Sequence, residues 1–316
     1  MRPSSLRDSG VSGSKVQEHN PRPITGGFLK VLAYAKINLF LDVVGKRSDG
    51  YHDILSVMQT INLYDELKLC LIKDTSGFSF EVDSREIPND ESNLVVRAAK
   101  LMIDEYKIKE SFKISLIKRI PAGAGLAGGS ADCAAAIKGI NRLMNLNIEP
   151  DELIDIGKSL GADVPFCMIG GTCLAQGVGE ILTPVAPHPD CVIVLAFPNI
   201  HVSTKDIFGK LCSKAQKSNR QKLENILSSL CNNELTGVAL SLYNVFTDLT
   251  GKDFPIITKL IEKLEDGGAI GASMTGSGSA VFGYFEKESL AASVMKTLAG
   301  DAATYLVRPV NICVRG

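Results

Sequence analysis

Along residues 30–44, KVLAYAKINLFLDVV, polar and apolar positions alternate with a period of two. Tyr34, Lys36, Asn38 and Phe40 fall on one face of an extended segment, and Ala33, Ala35, Ile37 and Leu39 on the other. Folded sequence is expected to begin near Phe28, because residues 1–27 carry no periodicity and are rich in Ser, Gly, Pro and charge, the pattern of a mobile tail. Alternating apolar residues from Met58 to Val82 continue as strands. Residues 92–106 place Leu94, Val95, Ala98, Leu101 and Met102 at helical spacing, and Phe112, Ile114 and Leu116 against Lys113, Ser115 and Lys118 give a strand with one apolar face. An alanine-rich segment then reads as a helix to Met144, and Glu149-Pro150 opens another that Gly161 ends. Residues 170–185 read as two short strands in hairpin order, and residues 191–198 as a buried strand. A domain boundary is placed near Pro198. Beyond it, helical patterns at 221–231, 234–246, 254–264 and 287–298 alternate with strand, which predicts an α/β half with helices on one side; the polar residues 213–220 should form an exposed loop.

Between the strand at 112–117 and the alanine-rich helix lies PAGAGLAGGS, residues 121–130, with Gly123, Gly125, Gly128 and Gly129. Glycines allow positive φ and close approach of backbone N–H groups to a ligand, and a helix that starts directly after them offers unbonded N–H groups and a positive dipole end. An anion site is one reading; a tight turn between a strand and a core helix is the other. The loop is not a Walker A motif, because GKS at 157–159 has Glu152 where that pattern requires glycine, and its spacing is not that of a dinucleotide fingerprint. Ala131, Ala134, Ala135 and Gly139 would let the helix press close to a sheet. A second glycine loop, in GASMTGSGSAVFGYF at 271–285, runs straight into a strand and by itself looks like any flexible turn.

Three single residues stand out. Lys36, charged and flanked by apolar residues in mid-strand, must sit at a sheet edge or in a polar pocket, with Asn38 pointing the same way. Asp163, after a helix and two residues before Pro165, is placed as a helix N-cap or as a free carboxylate. Tyr51 and His52 follow the turn residues Asp49 and Gly50, where a surface aromatic pair is the ordinary expectation.

Composition narrows the function classes. At 316 residues with 45% hydrophobic content the chain can fill two cores. A net charge of −1 removes the electrostatic basis for wrapping nucleic acid, and no apolar run reaches the length of a membrane span. Eight scattered cysteines without a CxxC pair read as reduced thiols in a cytoplasmic protein.

The stretch PAGAGLAGGSAD resembles the PxxxGLxGGSxD signature of the small-molecule kinases that include galactokinase, homoserine kinase, mevalonate kinase and phosphomevalonate kinase, the GHMP superfamily. Within it, AYAKINLFLDVVGKRSDGYHDI at 33–54, LGADVPFCMIGGTCLAQGVGEIL at 160–182 and GASMTGSGSAVFGYF at 271–285 resemble the 4-diphosphocytidyl-2-C-methyl-D-erythritol kinase family, from about Val31 to the end of the chain.

The resemblance implies an α+β, two-domain fold: residues 28–198 as an N-terminal, ribosomal-protein-like β/α domain that binds ATP, residues 199–316 as a ferredoxin-like α/β domain, and an active site in the cleft between. It implies ATP-dependent phosphorylation of the 2-hydroxyl of a cytidyl diphosphate sugar alcohol in the non-mevalonate isoprenoid pathway, with magnesium, by a monomer or weak homodimer without nucleic-acid or membrane partners. Lys36 and Asp163 become the catalytic pair. Pro121, Ala122, Gly123, Ala124, Gly125, Leu126, Ala127, Gly128, Gly129 and Ser130 hold phosphates, with Gly276, Ser277 and Gly278 lending N–H groups from the opposite side. Asn38, Tyr51, His52, Thr204 and Phe208 face the substrate, Tyr51 stacking on cytosine and His52 reading its edge. Two positions depart from the commonest pattern: Ala127 stands for a glycine, which asks for negative φ there, and Ala131 for a serine, which leaves Ser130 and Asp132 near any magnesium. Another kinase of the superfamily and a non-catalytic ligand-binding relative are the competing readings.

Overall fold

The computed structural model describes residues 27–73, 77–210 and 219–311. All but the last residue of the expected tail, most of the polar loop at 213–220, and Cys212 and Cys313 lie outside them. The chain runs β1 (Leu29–Lys46), β2 (His52–Leu71), β3 (Phe78–Val82), α1 (Leu94–Tyr106), β4 (Phe112–Ile117), α2 (Gly128–Met144), α3 (Pro150–Leu160), α4 (Val164–Ile169), β5 (Thr172–Gln176), β6 (Ile181–Pro184) and β7 (Val192–Phe197). It continues through α5 (Thr204–Lys210), α6 (Arg220–Cys231), α7 (Leu235–Leu240), β8 (Tyr243–Asn244), α8 (Thr247–Asp253), α9 (Pro255–Asp266), β9 (Gly271–Met274), β10 (Val281–Phe285), α10 (Glu288–Leu298) and β11 (Ala303–Val307).

Two sheets organise these elements. In the first the order is β3-β4-β2-β1-β8, with β5 also pairing with β2 and with β6; in the second it is β11-β7-β10-β9. Helix α2 lies on β1 and β2. Its small residues permit the approach: a Cβ on Gly139 would meet Leu69 Cδ1 at 2.8 Å. Ile137, Ile140 and Leu143 on the same helix are fully buried, each contributing about 1.5–3 kcal/mol through apolar burial.

The second sheet separates two cores. Val192, Val194 and Ala196 of β7 pack with Ile257, Leu260 and Leu264 of α9 and Val294 of α10, whereas Ile193, Leu195 and Phe197 face the core that contains Leu223 and Ile226 of α6 and Val238 of α7. Helices α9 and α10 lie on the first of these faces, while the second joins the core that also holds residues of β1 and β2, because alternate residues of a strand buried on both sides must each find an apolar partner.

Some expectations change. Strand β7 hydrogen-bonds to β10 and β11, so the second sheet begins at Val192, six residues before Pro198. The helical pattern at 234–246 breaks at Ser241, and Tyr243–Asn244 extends beside Phe40 and Leu41 of β1. Local spacing there is helical, but Asn244 Nδ2 gains the carbonyls of Met274 and Gly276, 2.8 Å each, only in the extended form. Strand β2 starts at His52, which places that residue on sheet rather than loop.

Candidate active site

Two of the three register shifts in β1 lie between Tyr34 and Lys36 and between Asn38 and Phe40. Such bulges re-aim side chains, and here they bracket Lys36 and Asn38. Both are buried, at 4% and 1% exposure, so Lys36 occupies a polar pocket and not an exposed sheet edge. Lys36 Nζ donates to Asn38 Oδ1 at 2.7 Å, and that oxygen also receives the Gly276 N–H at 2.9 Å and faces Thr275 Oγ1 at 3.2 Å. Asn38 Nδ2 donates to Ser56 Oγ at 2.9 Å. Expected as a substrate contact, Asn38 instead commits its oxygen to protein donors and ties β1 to the second glycine loop; one Nδ2 hydrogen is left over for any ligand.

The first glycine loop is fixed against the same strand. Lys36 N–H donates to Leu126 O at 3.1 Å, and Ala280 N–H to Ala124 O at 3.2 Å. Gly125 and Gly276 touch backbone to backbone: a Cβ on Gly125 would lie 2.3 Å from Thr275 O, and one on Gly276 3.0 Å from Gly125 Cα. Helix α2 then starts without a side-chain cap, and the N–H groups of Gly128, Gly129 and Ser130 find no acceptor among the described residues. Three free donors at the positive end of a 17-residue helix are the arrangement that an anion would need. Ala127, expected at negative φ, has φ 57° and ψ 31°. The loop needs the left-handed region to turn into the helix, and alanine bears the steric strain that glycine would avoid.

The second loop differs from expectation. Gly276 N–H is taken by Asn38, and Gly278 N–H by Thr275 O at 3.1 Å, so two of the three donors assigned to phosphate are used internally. Ser277 N–H alone of the three has no partner among the described residues.

Asp163 stands at the N-cap position of α4 with no side-chain capping bond, which leaves both carboxylate oxygens available. Its carbonyl accepts from Cys167 N–H at 3.1 Å. Burial pushes the Cys167 thiol up, the Asp163 charge adds to this, and the Lys36 and Lys138 charges oppose it. Lys36 and Asp163 thus both act on one sulfur, and no ion pair joins them among the described residues.

The substrate-facing candidates divide. The His52 ring lies 5.3 Å from Phe208, whose other neighbour, Phe246, is at 4.6 Å. Thr204, the first residue of α5, places Oγ1 2.8 Å from Ser277 Oγ, so α5 connects the aromatic pair to the second loop. Tyr51 is 65% exposed and makes no ring contact among the described residues.

A buried charge cluster under the first loop was not expected from local spacing. Lys118 Nζ bridges Asp65 and Asp132, the latter at 2.7 Å, and Asp65 Oδ1 accepts the N–H groups of Arg119 and Ile120 (2.8 Å from Ile120) just before Pro121. Asp132 Oδ1 has no partner among the described residues. Burial pushes the Asp132 carboxyl up to about 8, with the Lys118 ammonium opposing and the Asp65 carboxylate reinforcing the rise. Beside this cluster a cavity of about 300 Å³ is lined by Asp83, Ser84, Ile87, Lys118, Pro121 and Ala122. An aspartate inside the apolar run of β2 was the available signal; its partner 53 residues away was not visible locally.

Among the described residues no three His, Cys, Asp or Glu side chains are grouped to hold a metal, no helix is long and apolar enough to cross a membrane, and Cys70, Cys133, Cys167, Cys191 and Cys231 are free thiols, of which Cys231 is exposed and Cys70 and Cys167 only partly buried.

Comparison with known proteins agrees with this architecture. The model of the GHMP kinases N terminal domain matches residues 93–171, and that of the GHMP kinases C terminal domain matches residues 213–301. A 4-diphosphocytidyl-2-C-methyl-D-erythritol kinase of Acetivibrio thermocellus is 43% identical over 263 residues, 83% of this chain and 92% of that protein, and one of Clostridium perfringens is 38% identical over 90% of this chain and 99% of its own length. A crystal structure of 4-(cytidine 5'-diphospho)-2C-methyl-D-erythritol kinase superposes with a TM-score of 0.75 at 30% identity, covering 89% of this chain and 99% of that one. Homoserine kinase from Cytophaga hutchinsonii, 21% identical, shares the fold with a TM-score of 0.73 over 91% of this chain and 96% of its own. The bulged strand with its buried lysine, the uncapped helix behind a glycine loop and the matches along both halves have one conclusion: the chain belongs to the GHMP kinases, in the family of the 4-diphosphocytidyl-2-C-methyl-D-erythritol kinases.

Proposed function

We propose that this kinase transfers the γ-phosphoryl group of ATP to the 2-hydroxyl of 4-diphosphocytidyl-2-C-methyl-D-erythritol, a step of the non-mevalonate route to isoprenoid precursors, acting in the cytoplasm as a monomer or weak homodimer. The observation that carries the reading is that an uncapped helix start, a buried lysine and an uncapped aspartate sit on α2, β1 and α4, three elements that pack against one another. In this reading the nucleotide phosphates lie along residues 121–130 against the N–H groups of Gly128, Gly129 and Ser130, and the cavity beside Pro121 and Ala122 takes the base. Phosphoryl transfer depends on in-line positioning and neutralised charge more than on covalent help.

Asp163 accepts the proton of the substrate hydroxyl as its oxygen forms the new bond to the γ-phosphorus; the bond from that phosphorus to the β,γ-bridging oxygen breaks and ADP leaves. Lys36, held by Asn38, offsets charge on the transferring group. The lack of a carboxylate cluster among the described residues fits magnesium that arrives with the nucleotide and water, with the Ser130 hydroxyl as a protein ligand; bound there it would neutralise charge on the β- and γ-oxygens. His52 and Phe208 form the wall against which the cytosine ring packs, with Tyr51 free to swing onto its other face; Thr204 lines the same side.

The test is ADP release with magnesium and ATP, offering 4-diphosphocytidyl-2-C-methyl-D-erythritol, homoserine and mevalonate in parallel. Turnover is expected with the cytidyl acceptor alone, and Asp163→Asn should lower kcat by about 10²–10⁴, the usual cost of a lost general base, with little change in ATP affinity. Near-normal turnover in that variant would reduce Asp163 to a helix-terminal residue.

A further inference from the structure

The connection between β7 and α5 lies across the first glycine loop. Ile200 O accepts from Ser279 Oγ at 2.5 Å, and Thr204 Oγ1 meets Ser277 Oγ at 2.8 Å, so the connection is pinned on both sides to the second loop. Between the pins, His201 covers Gly123. A Cβ on Gly123 would lie 2.5 Å from His201 Nδ1 and 3.1 Å from Cε1, and Gly123 has φ 67°, so contact and conformation both require glycine there. His201 is exposed, and among the described residues its ring makes no hydrogen bond. The residues that it covers lie between the cavity at Pro121 and Ala122 and the helix start at Gly128. A nucleotide that spans those two places runs beneath the imidazole.

We propose that His201 is a nucleotide-binding residue, donating an imidazole N–H to a phosphate oxygen of ATP and closing the phosphate site from the C-terminal half. The assignment rests on the reading of residues 121–130 as the ATP phosphate loop. Imidazole carries at least one N–H donor in every protonation state, and hydrogen bonds to charged groups are the stronger kind. The second loop, with two of its three N–H groups used internally, leaves that side of the phosphates short of donors, and the pinned connection supplies one.

The experiment compares wild type, His201→Ala and His201→Gln by calorimetric titration with magnesium and a non-hydrolysable ATP analogue, and by steady-state KM for ATP and for the cytidyl acceptor. His201→Ala should weaken analogue binding and raise the KM for ATP by about tenfold, the low end for a lost bond to a charged group, while the KM for the acceptor stays within about twofold. His201→Gln, which restores an N–H donor, should recover most of the loss, and melting temperatures should be unchanged in both variants. Unchanged analogue affinity in His201→Ala, a rise confined to the acceptor KM, or a Gln variant as impaired as the Ala variant would each overturn the assignment. The titration needs no acceptor, so a wrong acceptor would leave it intact, whereas wild type that binds no nucleotide would remove the ATP reading itself.

Discussion

The two glycine-rich loops touch at Gly125 and Gly276 yet are built for opposite ends. In the first, residues 121–130, the N–H groups of Gly128, Gly129 and Ser130 stay unpaired among the described residues and a 17-residue helix comes next. In the second, Gly276 and Gly278 give theirs to Asn38 and Thr275, and Asn244 and Thr250 bind its carbonyls. The first is open for a ligand; the second is a buttress that holds the first and β1 in register. Glycine content does not separate the two. The element that each loop enters does, since a helix leaves its first donors unsatisfied and a paired strand does not.

The largest effect should come from the contact itself. Gly125→Ala puts a methyl group 2.3 Å from Thr275 O at a residue with φ 79°, and neither backbone can yield alone. A loss of about 2–4 kcal/mol in stability, with activity falling in parallel, is expected from overpacking and left-handed strain and is read by chemical denaturation; tolerance of this substitution would show that the loops do not bear on each other. Asn244→Ala should come next. It removes two bonds to loop carbonyls and the Asn244 Oδ1 bond to Phe246 N–H, so about 2–3 kcal/mol should be lost, with kcat lowered more than ATP affinity if the second loop is a buttress.

A smaller, pH-dependent effect is expected under the first loop. The Asp132 carboxyl is raised in the folded protein from 3.8 to about 8, so below the lower value it costs nothing, and folding loses stability as pH rises through the interval between them. Asp132→Asn removes that loss. Melting curves at pH 5 and pH 8 should show the variant gaining on wild type as pH increases; a constant difference would mean that Asp132 is ionised throughout. Least is expected from Ala127→Gly, which relieves the αL alanine at φ 57° and should add roughly 0.5–1 kcal/mol, since glycine also gains freedom in the unfolded chain.

Much of this was legible in the chain. Period-two spacing located β1 and β4, a continuous apolar run located β7, helical spacing located α1 and α9, alanine content located α2, and the order of strand, glycine loop and helix marked the candidate anion site. The pocket around Lys36 was open to either reading, because alternation says that Lys36 and Asn38 share a face but not what covers it. Tyr243–Asn244 was read as helix, since a two-residue strand has no period and exists only through Phe40 and Leu41, some 200 residues earlier. Ala127 was expected at negative φ because alanine ordinarily takes it; the geometry of the loop overrode that preference.

The longer elements, the family and the residue types available for phosphate, lysine and aspartate chemistry are legible in the chain alone, because each of these is written in spacings of a few residues. Only the tertiary structure decided that Asn38 faces inward as a hub, that the second loop is a support, that Asp132 shares Lys118 with Asp65, and that His201 lies over Gly123. Each of those depends on contacts between residues tens to hundreds of positions apart, where burial and hydrogen-bond satisfaction, not local preference, select the conformation.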